Sequence, residues 1–128
     1  MIYLDTSVAL AHLLSEDRRP PDSLWRQPLI ASRLLEYELW ARLNARRLGA
    51  SHGELARRLL ERLAILEMLP NVLARALEPF PAPVRTLDAL HLASIEFLRG
   101  RGQRIELASY DERLVVAARE LDIPIAPL

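Results

Sequence analysis

The chain has 128 residues and a formal charge of zero, with 51% apolar and 27% charged residues. That suits a single domain, residues 1–128, with one sizeable core, and it is a globular rather than a disordered composition. No apolar run approaches the roughly 18 residues of a membrane span, and the lack of cysteine excludes disulfides, thiolate metal sites and Cys nucleophiles.

The N-terminus runs directly into Ile2-Tyr3-Leu4-Asp5 with no basic leader, so no signal peptide is expected. A reducing, cytoplasmic setting is the expected location. Every basic side chain is Arg and none is Lys, which rules out a P-loop lysine and Schiff-base chemistry. Arg suits bidentate phosphate contacts, although a GC-rich genome would encode it as well. Overall neutrality weighs mildly against nucleic-acid binding, since such proteins are usually basic.

Ile2 to Leu4 reads as a short buried strand ending at Asp5. Residues 6 to 15 follow as a helix capped by Thr6 or Ser7. The segment 16–28, with Pro20, Pro21 and Pro28, reads as a loop that holds Trp25 as a packing anchor. Leu29 to Ala31 is a second strand. Ser32 caps a helix whose leucines 34, 35, 39, 43 and 48 recur near helical spacing, and Gly49 ends it.

Ser51-His52-Gly53-Glu54 has the form of a capping box before a helix bearing Leu55, Leu59 and Leu63. Residues 64–69 are a third strand or the end of that helix, closed by Pro70, and 71–77 a short helix. The prolines at 79, 81 and 83 form a rigid connector. Thr86 caps an amphipathic helix over 87–98. Residues 105–110 are a strand ending at Asp111, 112–121 a helix, and 123–125 a last strand whose Pro124 places it at a sheet edge. This alternation predicts a three-layer α/β/α sandwich around a mainly parallel sheet.

Four acids stand where acids are awkward. Asp5 and Asp111 follow apolar strands, Asp88 sits in the first turn of its helix, and Glu38 lies among Leu34, Leu35, Ala41 and Arg42 beside the apolar stripe. Each has a simpler explanation: a helix cap for Asp5 and Asp111, the helix dipole for Asp88, a pair with Arg42 for Glu38. Taken together, they are delivered by four elements to the edge where a parallel sheet gathers its sites. Clustered carboxylates raise one another's pKa values. A hard divalent cation on oxygen ligands, Mg²⁺ or Mn²⁺, relieves this and serves phosphodiester hydrolysis.

Tyr3-Leu4-Asp5-Thr6-Ser7, the 32–39 helix start, Leu87-Asp88-Ala89-Leu90-His91-Leu92-Ala93 and Ser109-Tyr110-Asp111-Glu112-Arg113-Leu114, in this order, resemble the PIN-domain family. More narrowly they resemble the VapC-type toxins of bacterial toxin–antitoxin pairs. The resemblance implies a Mg²⁺- or Mn²⁺-dependent ribonuclease acting on RNA, a small cognate antitoxin and a homodimer. It implies metal ligation, direct or through water, by Asp5, Glu38 and Asp88, with Asp111 completing the pocket or a second metal site. Thr6 and Ser109 would support the acids from behind, or only cap helices.

Leu39, Trp40, Leu43, Leu48, Leu55 and Leu59 offer a partner surface with Arg46 and Arg47 as anchors, or else pack the two helices together. His91, three residues after Asp88, could serve as a base or ligand, but the preferred reading is packing on the inner face of its helix; His12 and His52 carry no functional signal. A non-catalytic PIN-like module binding RNA or protein is the rival reading. A phosphotransfer receiver would need a Lys, and an aspartyl phosphatase an Asp where Ser7 stands.

Overall fold

A computed structural model describes all 128 residues. The strands are β1 (Ile2–Leu4), β2 (Leu29–Ser32), β3 (Ala64–Leu66) and β4 (Glu106–Ala108). They form one parallel sheet in the order β3–β2–β1–β4. Along the strands the side chains alternate between two cores. Ile2, Leu4, Leu29, Ala31 and Ala108 face one, while Tyr3, Ile30 and Leu107 face the other. Burial on both faces is why β1 and β2 read as continuous apolar runs rather than alternating ones.

The helices are α1 (Thr6–Leu13), α2 (Arg33–Ala45), α3 (Gly49–Glu61), α4 (Pro70–Ala76), α5 (Thr86–Gly100) and α6 (Glu112–Glu120). Helices α1, α2 and α3 cover one face of the sheet, α5 and α6 the other, giving the expected α/β/α layers. Helix α4 packs along α5. Leu35, Leu39 and Leu43 of α2 are completely buried. Each such side chain stabilises by about 1.5–3 kcal/mol, so α2 is firmly seated and Glu38 rides on a fixed element.

Several local expectations need correction. Asp5 itself, not Thr6 or Ser7, is the N-cap of α1, its carboxylate accepting from the Ser7 amide at 3.4 Å. Gly49 does not end α2; the helix stops at Ala45, and Arg47 takes the left-handed conformation (φ 56°) while the Leu48 amide donates to the Leu43 carbonyl. Gly49 instead begins α3, so Ser51 lies inside the helix and there is no capping box; its hydroxyl donates to the Leu48 carbonyl. Arg85, not Thr86, occupies the N-cap of α5. The 16–28 segment contains a 3₁₀ turn at Asp22–Arg26. The last strand reduces to a single parallel bridge between Leu107 and Ile125 at the β4 edge.

The proposed apolar partner face is largely spent inside the fold. Leu39, Leu43 and Leu59 are buried, Trp40 and Leu48 half-buried, and only Leu55 is well exposed. The reason is that α2 and α3 pack on each other and on α1. The most exposed of the large apolar side chains is Leu77, at 89% exposure, just past α4.

Candidate active site

The strand order reverses direction at β1, with β2 on one side and β4 on the other. That is the switch point where parallel α/β sheets form their crevices. Asp5 leaves the carboxyl end of β1, and Ser109 and Asp111 leave that of β4. Glu38 projects from α2 and Asp88 from the first turn of α5. All four acids line one cleft of about 640 Å³, together with Arg18, Arg42, Arg85 and Tyr110.

Asp5 is buried, with 6% exposure. Its Oδ2 accepts from the Ser7 hydroxyl at 2.6 Å and the Ser109 hydroxyl at 2.8 Å. The Ser7 hydroxyl in turn accepts from the Tyr110 amide at 2.9 Å, and that of Ser109 from the Asp111 amide at 2.9 Å. These contacts pin the β4–α6 turn to the end of β1. Asp5 Oδ1 makes no hydrogen bond; His91 Nε2 lies 3.8 Å from it.

Glu38 Oε1 accepts from the Thr6 hydroxyl at 2.8 Å and from His91 Nε2 at 2.7 Å. Burial by itself would raise the Glu38 carboxyl, but the hydrogen bond and charge of His91, then Thr6 and the charge of Arg42, hold it below the ordinary range. His91 is 2% exposed. Burial works to lower its pKa, and the hydrogen bond it donates to Glu38, with the charges of Asp5, Glu38 and Asp88, outweighs that and raises it. Its Nδ1 lies 2.7 Å from the Tyr3 hydroxyl. An imidazolium here donates to both Glu38 and Tyr3, so the buried cation is satisfied at each nitrogen.

Asp88 and Asp111 share a third cation. Arg85 donates from Nε to Asp88 Oδ2 at 3.1 Å and from Nη2 to Asp111 Oδ2 at 2.6 Å. Asp111 is also the N-cap of α6: its Oδ1 accepts from the amides of Arg113 and Leu114. Both its oxygens are therefore engaged, whereas Asp5, Glu38 and Asp88 each keep one oxygen with no protein hydrogen bond.

A PIN-domain family model matches residues 2–120. Ribonuclease VapC47 of Mycobacterium tuberculosis is 33% identical to the chain, over 94% of this chain and 92% of that protein. The chain belongs to the PIN-domain family. Among solved structures, the fold is similar to that of Mycobacterium tuberculosis VapC20, a sarcin-ricin loop cleaving toxin, with TM-score 0.67, 21% identity, and 91% and 95% of the two chains covered. It is also similar to a toxin–antitoxin complex from Klebsiella pneumoniae, with TM-score 0.66, 18% identity and 88% of each chain covered.

PIN-domain resemblance implies a divalent ion, and the donor set here suits one. It is made of carboxylates with no thiolate, the pattern of a hard cation. In three of the acids one oxygen is tied back by protein donors and the other carries no protein hydrogen bond. The acids are not closed on a common point: no three acidic or histidine side chains are gathered tightly enough to hold one ion. Arg85 and His91 pair with them across the cleft.

Two partnerships in this PIN domain escaped the sequence reading. His91 is indeed packed on the inner face of α5, but it also hydrogen-bonds Glu38 across the sheet end. Arg85 was not singled out at all. A signal was present, because Arg85, Asp88 and His91 recur every three residues, which places them on one helix face. The expected Glu38–Arg42 pair is replaced as the main partnership by His91 and Thr6. Glu36, two residues before Glu38, pairs with Arg33 at 2.8 Å.

Proposed function

We propose that this chain is a metal-dependent endoribonuclease that hydrolyses RNA phosphodiester bonds and serves as the toxin of a toxin–antitoxin pair. The observation that carries this reading is the convergence of Asp5, Glu38, Asp88 and Asp111, from four separate elements, on one cleft. The identity to a ribonuclease over nearly the whole chain supports it.

Asp5, Glu38 and Asp88 are the proposed metal ligands, through the oxygens that protein donors leave unbonded. Asp111 completes the pocket. When bound, Mg²⁺ or Mn²⁺ supplies an activated water and stabilises the attacking and leaving oxygens of an in-line displacement. The chain's own residues do the rest. Ser7 and Ser109 orient Asp5, and Thr6 and His91 orient Glu38. Arg18 and Arg42 on the cleft wall face the incoming phosphates with fixed positive charge. The Arg18 guanidinium lies over the Tyr110 ring at 5.0 Å, a flat surface at the cleft rim against which a base can stack.

A cognate antitoxin, a homodimeric assembly and a cytoplasmic location complete the proposal. The antitoxin assignment draws on the complex with similar fold. No helix is long and apolar enough to cross a membrane.

The test is cleavage of structured RNA by purified protein with Mg²⁺, with Mn²⁺ and with EDTA, alongside Asp5→Ala and Asp88→Ala. Cleavage is expected only with metal and only in the wild type. Activity surviving EDTA or both substitutions would overturn the metal mechanism. Binding of RNA without cleavage under any metal would favour a non-catalytic module instead.

A further inference from the structure

Arg85 is placed unusually for a residue beside a metal-binding cluster. Its two hydrogen bonds run to one oxygen on each of two acids proposed to serve the ion. For Asp88 the second oxygen stays available. For Asp111 it does not, since Oδ1 is held by the first-turn amides of α6. Oδ2 is the only atom with which Asp111 can reach an ion, and Arg85 sits on it.

We propose that Arg85 is a built-in competitor of the divalent ion: it neutralises Asp88 and Asp111 in the metal-free chain and must swing away before an ion can engage Asp111. The inference rests on the metal-dependent reading above. The side chain is 57% exposed, so its release strips little packing from the core. A cleft of about 480 Å³ also borders Arg85, lined by residues 82–84, Asp88, Glu112, Arg113 and Val116. A guanidinium moved there would keep Asp88 and meet Glu112 in place of Asp111, with Arg113 as a like charge beside it.

The simpler alternative is that Arg85 permanently orients Asp88 and Asp111 for the ion. The two roles predict opposite signs. A competitor's removal strengthens ion binding, and an orienting residue's removal weakens it.

The experiment is a calorimetric titration of the full chain with Mn²⁺ at neutral pH without RNA. It compares wild type, Arg85→Ala, Arg85→Gln, Arg85→Lys and Asp5→Ala, with folding checked by circular dichroism. Expected is Mn²⁺ binding about five-fold tighter in Arg85→Ala and Arg85→Gln, the order of a partly exposed ion pair released. Arg85→Lys should fall between, because a single ammonium cannot span both carboxylates as the fork does. In EDTA the Arg85→Ala melting temperature should drop below wild type, with the gap closing in Mn²⁺. Equal or weaker Mn²⁺ binding by both folded neutral variants would overturn the proposal while leaving the metal reading intact. No Mn²⁺ binding by the wild type, or affinity unchanged in Asp5→Ala, would overturn the metal reading and this inference with it.

Discussion

His91 Nε2 donates to Glu38 Oε1 at 2.7 Å, tying the helix on one layer to the helix on the other across the carboxyl end of the sheet. A buried imidazole bonded at both nitrogens cannot be removed cheaply. Loss of its donors leaves Glu38 and the Tyr3 hydroxyl short of partners, and an unsatisfied buried group costs about 1–3 kcal/mol. His91→Ala should therefore lose about 2–3 kcal/mol of stability in metal-free urea denaturation. A loss no larger than that of an exposed substitution, Gln103→Ala for instance, would mean that the pair is incidental.

The same pair sets a pH dependence. His91 has its pKa raised above the ordinary 6.5, so its contribution is full below that value and fades as the pH climbs through the folded pKa. Glu38 has its pKa lowered from 4.5, so its contribution is full above that value and fades as the pH falls through the folded pKa. Their coupling is thus strongest between about pH 4.5 and 6.5. In EDTA, the stability gap between wild type and Glu38→Gln should peak in that window and narrow on both sides. A gap that grows steadily toward pH 9 contradicts the assignment.

Ser109 joins two of the four cleft acids, donating to Asp5 and accepting from the Asp111 amide. Ser109→Ala removes both bonds from a buried position and should cost about 1–3 kcal/mol. It should also slow RNA cleavage about ten-fold through misplacement of Asp5, without changing which bond is cut. Chemical denaturation and a timed cleavage assay measure the two effects separately. Wild-type rates in a folded Ser109→Ala would show that Asp5 needs no such support.

An ion that binds only the native state raises its stability, by about 2.7 kcal/mol at a hundred-fold excess over Kd. Mg²⁺ or Mn²⁺ should accordingly raise the melting temperature by several degrees, and chelation should reverse it. Asp5→Ala should lose most of the shift. An equal shift in that variant would place the ion elsewhere.

Much of the architecture was written into local pattern. Apolar runs broken by Pro and Gly marked β1, β2 and β4, and leucine spacing marked α2, α3 and α5, because burial on one face leaves a period that neighbours in sequence reveal. Asp5, Glu38, Asp88 and Asp111 stood out because an acid at a strand end or beside an apolar stripe is costly without a reason. Helix ends were less legible. Whether Gly49 stopped α2 or began α3 depended on Arg47 accepting a left-handed conformation, and no spacing shows that.

The sequence by itself determined the parallel α/β class and the four acids, since both follow from the polarity of single residues against their immediate neighbours. Tertiary structure alone decided the partnerships. His91 meets Glu38 across 53 residues and Arg85 meets Asp111 across 26. Which donor satisfies which carboxylate depends on how α2, α5 and the β4–α6 turn meet at the end of β1. Hydrogen bonds act over about 3 Å, and only the packed sheet brings residues that far apart in the chain within that range.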